Sequence, residues 1–168
     1  QFDQALEELH QLLDEDPNHA DAHYMSAVCC RYQKNYLLAQ QHIDALSELA
    51  LDRGRLYQEQ GHLFRAQSLI DHAIVAYQAA CQLNPALIAS WQALAELFAE
   101  VDDAAGAQQA QMQVQSLQAM PKALLAVTDL MEQGKLYKAE QICKQFLQQS
   151  PTDAEAMRLL ADIAFRIG

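Results

Sequence analysis

The residues best placed to do chemistry are His19 and His23, four apart, with Cys29 and Cys30 shortly after them. Imidazole and thiolate are the usual zinc ligands, and an i, i+4 spacing brings two of them to one helical face. A structural zinc needs more ligands converging on it. His19 falls in the loop after Pro17, and His23 fills a bulky position on an apolar stripe. No metal is expected. His62 and His72 fall on different helices, His10 and His42 on second helices, and none has an evident acid partner. Ser26, Ser47, Ser68, Ser90, Ser116 and Ser150 all lie outside a GxSxG setting. The glycines are scattered, with no GxxxxGK[ST] or GxGxxG cluster to cradle phosphates. Paired carboxylates such as Glu7-Glu8 and Asp102-Asp103 sit at helix faces or ends, where solvation and the helix dipole account for them. The expectation is a chain with no catalytic residue, no cofactor and no metal.

One cluster remains. Arg31, Arg55 and Arg65, with His62 and Tyr24 among them, form a basic and aromatic group in a chain of 11 basic and 22 acidic residues, net charge -11. Guanidinium groups pair bidentately with carboxylates, so the expected ligand is an acidic or carboxy-terminal peptide segment. The plainer account is that these arginines balance Asp21, Asp52 and Glu59. No Lys or Arg occurs from Ala66 to Pro121, which leaves no basic track for nucleic acid and argues against anionic lipid. No apolar run approaches the roughly 20 residues that span a bilayer. Cys29, Cys30, Cys81 and Cys143 include no CxxC pair and read as buried reduced thiols, which fits a cytoplasmic protein.

The elements that must position this cluster repeat. Ala5, Ala39, Ala73 and Ala107 stand 34 residues apart and Ala139 follows after 32. A bulky slot recurs at His23, Tyr57, Trp91 and Met157, and a small one four residues later at Ala27, Gly61, Ala95 and Ala161. Three further on come Cys30, Phe64, Phe98, Leu130 and Ala164, on the same helical face. Pro17, Pro85 and Pro151 punctuate the units where a proline ends one helix and starts the next. Low Gly and Pro with abundant Ala, Leu and Gln favour helices throughout, an all-α chain.

These slots resemble the tetratricopeptide repeat, a 34-residue helix-turn-helix, over essentially the whole chain. The resemblance implies a right-handed superhelix of about ten antiparallel helices. Residues 1–19 are then the second helix of a partial repeat, 20–53, 54–87, 88–119 and 120–153 are four units, and 154–168 is a first helix without its second. Both ends fall mid-repeat and the chain does not begin with Met, so continuation past Gly168 is expected. The bare side of the last helix is expected to be Leu159, Leu160, Ile163 and Ile167, an invitation to dimerise. Leu51 and Ala119 replace expected prolines, and His23 and Ala123 replace the large aromatic. Turns are expected near Gln33-Lys34-Asn35, Gln67-Ser68-Leu69, Val101-Asp102-Asp103 and Gln133-Gly134-Lys135. Only the last has a helix-ending glycine, and the second has no strong breaker.

Members of that family hold peptides on a concave wall of first helices, which implies a protein-binding scaffold with no catalysis of its own. On this phasing the wall carries Tyr24, Arg31, Arg55, Gln58, His62, Arg65 and Gln92, with Leu124, Thr128 and Met131 further on. Chaperone-binding members clamp two carboxylates with Lys and Asn; Tyr24 and Val28 stand at the matching places here, so the resemblance implies no chaperone-tail recognition. The stretches HYMSAVCCRY (23–32), YQEQGHLFRA (57–66), QLNPALIASWQALAELF (82–98) and SPTDAEAMRLLADIAFRIG (150–168) are also similar to the amino-terminal repeats of bacterial sulfotransferases. That likeness implies an arm whose donor-binding domain lies beyond Gly168.

Overall fold

Abundant Ala, Leu and Gln make helix the default, so what shapes this chain is where each helix is stopped. The computed structural model describes residues 2–49 and 53–168, and among them ten helices form. They are α1 (Phe2–Glu15), α2 (Ala20–Tyr32), α3 (Tyr36–Glu48), α4 (Arg53–Ala66), α5 (Ile70–Leu83), α6 (Ile88–Glu100), α7 (Ala104–Ala119), α8 (Lys122–Glu132), α9 (Leu136–Gln149) and α10 (Ala154–Ile167). Leu51 and Asp52, one read as a proline substitute and the other as a counter-charge, lie outside the described residues.

Four hairpin turns share one device. Lys34, Ser68, Asp102 and Gly134 take left-handed φ values of 61, 60, 59 and 71°. Each N–H donates to the carbonyl three residues back, and the next N–H donates to the carbonyl five back, at 2.8–2.9 Å. This is the Schellman closure, which suits glycine because it has no Cβ to clash with the carbonyl. Sequence reading expected such a glycine only at Gly134; the other three turns make the same closure with a strained L-residue. Even the weakly marked 67–69 turn stops α4 at Ala66. Ser68→Gly should therefore stabilise the protein by about 0.5–1 kcal/mol, read as a rise in melting temperature, with the fold unchanged.

The joints before α2 and α6 share a second device. Asp16 Oδ1 accepts the Asn18 N–H at 3.1 Å, and Asn84 Oδ1 accepts the Ala86 N–H at 3.0 Å. The bulky residue that follows each joint then reaches back to the proline carbonyl. His23 Nε2 lies 2.9 Å from the Pro17 oxygen, and Trp91 Nε1 donates to the Pro85 oxygen at 3.0 Å. His23 departs from the expected aromatic yet still supplies the ring nitrogen that the joint uses.

The chain divides into two compact units, residues 1–82 and 83–168. In the first, α2 packs on α1, α3 and α4, and α3 also packs on α4. The core there includes Leu6, Ala27, Cys30, Ala39, Ile43, Leu56 and Leu63. In the second, α6 packs on α7, α8 on α9, and α10 on both α8 and α9, around Leu124, Val127, Met131, Cys143, Leu159 and Ile163.

Burial supplies a ruler finer than the repeat slots. Ala22, Leu56, Ser90, Leu124 and Ala156 are all at most 8% exposed, as are Cys29, Leu63, Leu97, Met131 and Ile163 at seven residues further on. The steps are 34, 34, 34 and 32, so the short step comes after Met131, where α8 ends at Glu132 after only 11 residues. Two expectations are corrected by this. Leu124 and Met131 face the core rather than a binding wall. Leu159 and Ile163 are 2% and 0% exposed against α8 and α9 and Leu160 is half-buried, whereas Ile167 is exposed as expected, on a bare side of α10 that also carries Met157, Ala161, Ala164 and Phe165.

Candidate functional site

The expected basic cluster lies on α2 and α4. Arg31, near the end of α2, reaches across to Glu59 of α4. Its Nε donates to Glu59 Oε1 at 2.6 Å and its Nη2 to Oε2 at 3.3 Å. The Glu59 side chain is 2% exposed and that of Arg31 14%. Burial raises the Glu59 carboxyl above the usual carboxylate range, and the contact with Arg31 only partly offsets this. For Arg31 burial works against the charge, but Glu59 and Tyr32 together hold the guanidinium above its ordinary value. Glu59 stands 34 residues before Ala93, at a position taken by Val127 and Leu159 in later helices, so an ion pair here replaces an apolar contact.

His62 follows on α4, hydrogen-bonded through Nδ1 to the Tyr77 hydroxyl of α5 at 2.6 Å, with the rings edge-on. Burial lowers its pKa to about 4, helped by the positive charges of Arg31 and Arg65. Of the three arginines expected to gather, Arg31 and Arg65 thus both act on His62. Gly61 exists because of the same contact: a Cβ there would lie 2.7 Å from the Tyr77 ring.

His42 on α3 is likewise lowered to about 4, by burial and then by His23 and His10. The sign is the same for both histidines. An unfolded imidazole binds its proton near pH 6.5, whereas the folded one resists until about 4, so stability is full above about 6.5 and falls as the pH drops towards 4. The expected loss is up to about 3 kcal/mol per histidine, measured by urea unfolding across that range.

The other expected residues fall differently. Tyr24 and Arg55 are half-buried, Arg65 is exposed, and Gln92 is exposed on α6 of the second unit. Gln58 is only 8% exposed, so its amide belongs to the interior more than to a surface. Arg31, paired with Glu59, and Gln58 are thus largely enclosed, where an exposed wall was expected. Tyr77, which sequence reading passed over, was signalled by Gly61 one period after Ala27, the small slot that a bulky neighbour requires. Elsewhere in this unit an apolar hollow of about 350 Å³ opens between α4 and α5, lined by Tyr57, Phe64, His72 and Val75 among others.

The histidines first weighed as metal ligands have other partners. His19 Nδ1 accepts the Ala22 N–H at 3.2 Å and caps α2, and His23 binds the Pro17 joint. Among the described residues no group of three His, Cys, Asp or Glu side chains could hold a metal ion. All four cysteines are free and buried. No helix among the described residues is long and apolar enough to cross a membrane.

Residues 1–50 match a family model described as Tetratricopeptide repeat. Among solved structures, TTC0263, a thermophilic TPR protein in Thermus thermophilus, superposes with a TM-score of 0.60 over 98% of this chain and 91% of its own, at 17% identity. The fold is that of the tetratricopeptide repeat. MamA from Desulfovibrio magneticus RS-1 gives a TM-score of 0.61 at 26% identity, covering 70% of this chain; the match spans 66% of the MamA chain. Naa15, in its structure with Naa10 bound to HypK-THB, gives 0.60 at 21% identity over 99% of this chain and 32% of that one. At 17 and 21% identity the repeat fold alone is shared. No curated protein matches the chain in sequence. Tetratricopeptide repeats are protein-interaction scaffolds, because stacked hairpins leave extended helical faces whose side chains the core does not dictate.

Proposed function

We propose that this chain is a protein-binding scaffold without catalysis of its own, which holds an acidic or carboxy-terminal peptide segment against the first-helix faces of its repeats. The observation that carries this reading is that the guanidinium groups of Arg31 and Arg65 both act on His62 of α4, in a protein with net charge -11. Tyr24 lies two helical turns before Arg31, and Arg55 two before His62, so an aromatic ring and a further guanidinium extend the same stripes. In the first unit Arg31 is held by Glu59 while Arg55 and Arg65 are the residues proposed to meet ligand carboxylates, and Gln92, by itself on the second unit, is exposed on α6. The Naa15 structure, a complex with Naa10 and HypK, shows a protein of the same fold used in assembly.

The test is fluorescence anisotropy with Glu-rich decapeptides, carboxy-terminally free or amidated, against the protein and an Arg55→Ala/Arg65→Ala variant. Binding that weakens about tenfold in the variant, and falls with salt, supports the reading. Equal binding by the variant, or by neutral peptides, overturns it. The amidated peptide separates a carboxy-terminal ligand from an acidic one.

Self-association is a second proposal, favoured by α10, where Met157 and Phe165 are 48% and 87% exposed. Phe165→Glu should then convert dimer to monomer in solution mass measurements. Buried, free thiols support a reducing, cytoplasmic setting. The reading as an arm of a sulfotransferase rests on the four sequence stretches alone.

A further inference from the structure

His10 of α1, His23 of α2 and His42 of α3 come together in the first unit. The rings of His10 and His42 lie 6.4 Å apart and those of His23 and His42 5.3 Å. His23 Nδ1 and His42 Nδ1 are 3.0 Å apart, and His23 Nε2 is 2.9 Å from the Pro17 carbonyl oxygen. A carbonyl can only accept, so His23 donates from Nε2. A neutral His23 then presents a bare Nδ1, and His42 donates to it from its own Nδ1. That leaves His42 Nε2 without a proton, and it is buried with no hydrogen-bond partner in a residue only 8% exposed.

This relay runs in one direction and works only while both rings are neutral. A proton added to His23 would either set two N–H groups against each other across 3.0 Å or drive the His42 proton onto its buried Nε2, where no acceptor meets it. A proton added to His42 Nε2 would bury an N–H with no acceptor. A charge on His42 would meet no acid among the groups that act on it, and the acids of α1 and α2 are exposed. The charged groups acting on His42 are His10 from α1 and His23 from α2; on α3 itself Asp44 and Glu48 are exposed, and on α4, which also packs there, Glu59 is taken up by Arg31.

We infer that His23 and His42, with the exposed His10 of α1 against the His42 ring, form an acid-released latch, holding α1 and the Pro17 joint on α2 and α3 while the His23–His42 pair is neutral and letting them go when His42 takes a proton. The low value of His42, about 4, agrees with this: the docked ring resists a proton that a hydrated one would take near 6.5. Docking of α1 should therefore weaken about tenfold between pH 7.5 and 5.5.

Hydrogen exchange read by mass spectrometry tests it, with rates corrected for the intrinsic effect of pH. Protection of residues 2–16 should fall about tenfold from pH 7.5 to 5.5, while residues 136–149 hold theirs, since all six histidines lie in the first unit. His42→Gln, which keeps a donor for His23, should remove most of the fall in 2–16. Unchanged protection of 2–16 in the wild-type protein overturns the latch, and so does an undiminished fall in a His42→Gln variant of native helicity. If that variant does not fold, the wild-type imidazole signals decide: His42 must titrate together with the loss of α1 protection, and titration at a separate pH refutes the proposal.

Discussion

Arg31→Ala should destabilise the first unit by about 3–5 kcal/mol, the usual consequence of leaving a buried charge without its partner. Arg31 is the bidentate partner of Glu59, whose side chain is 2% exposed. Truncation leaves that carboxylate ionised in a site its neighbours in later helices fill with Ala93, Val127 and Leu159. The deficit should shrink as the pH falls. Glu59 already titrates above the usual range, and without Arg31 it rises further, so protonation relieves the folded variant before the unfolded chain. The double substitution Arg31→Met/Glu59→Leu removes both charges and matches the apolar pattern of the later helices. It should return to within about 1 kcal/mol of wild type or exceed it. Urea unfolding at pH 7 and 5 measures all of these, and an Arg31→Ala protein as stable as wild type would show that the ion pair is solvated after all.

The second large effect is expected at Gly61. Alanine in place of glycine within a helix ordinarily gains about 1 kcal/mol. Here the new methyl would sit 2.7 and 2.8 Å from two carbons of the Tyr77 ring, which is 0% exposed and tied to His62 by its hydroxyl. The ring cannot swing aside, so α4 and α5 must move apart, and the net cost should be about 1–3 kcal/mol. In a Tyr77→Leu background, with the ring gone, the same Gly61→Ala change should cost less than half as much. A double-mutant cycle by thermal or urea unfolding gives the coupling directly. Additive effects would mean that Gly61 is small for some reason other than Tyr77.

Much of the architecture could be read from residue spacing because the slots are repeated and each has a steric cause. Ala39, Ala73 and Ala139 are 0% exposed, as expected where helices cross closely. The turns were placed within a residue or so even where no glycine marked them, because the helices on either side keep their apolar faces. Facing was lost where one helix is shorter than the others. Two residues missing from the end of α8 amount to about 200° of helical rotation, so a phase carried through the wrong unit turns Leu124 and Met131 outward. The site was legible as a cluster and illegible as a network. Arg31 and Glu59 are 28 residues apart, and His23 and His42 are 19 apart; no local pattern says that an arginine on one helix will be neutralised by its neighbour, or that two imidazoles will share a proton.

The buried thiols also make the protein its own reporter of opening. Burial raises all four, Cys81 to about 12, so a thiolate-seeking reagent finds almost nothing to attack in the native state. Cys29, Cys30 and Cys81 lie in the first unit and Cys143 in the second. Pulsed alkylation followed by peptide mapping would time the breathing of each unit separately in the unmodified protein. A single cysteine placed on the exposed face of α6 would take a dye without any of the native four being removed.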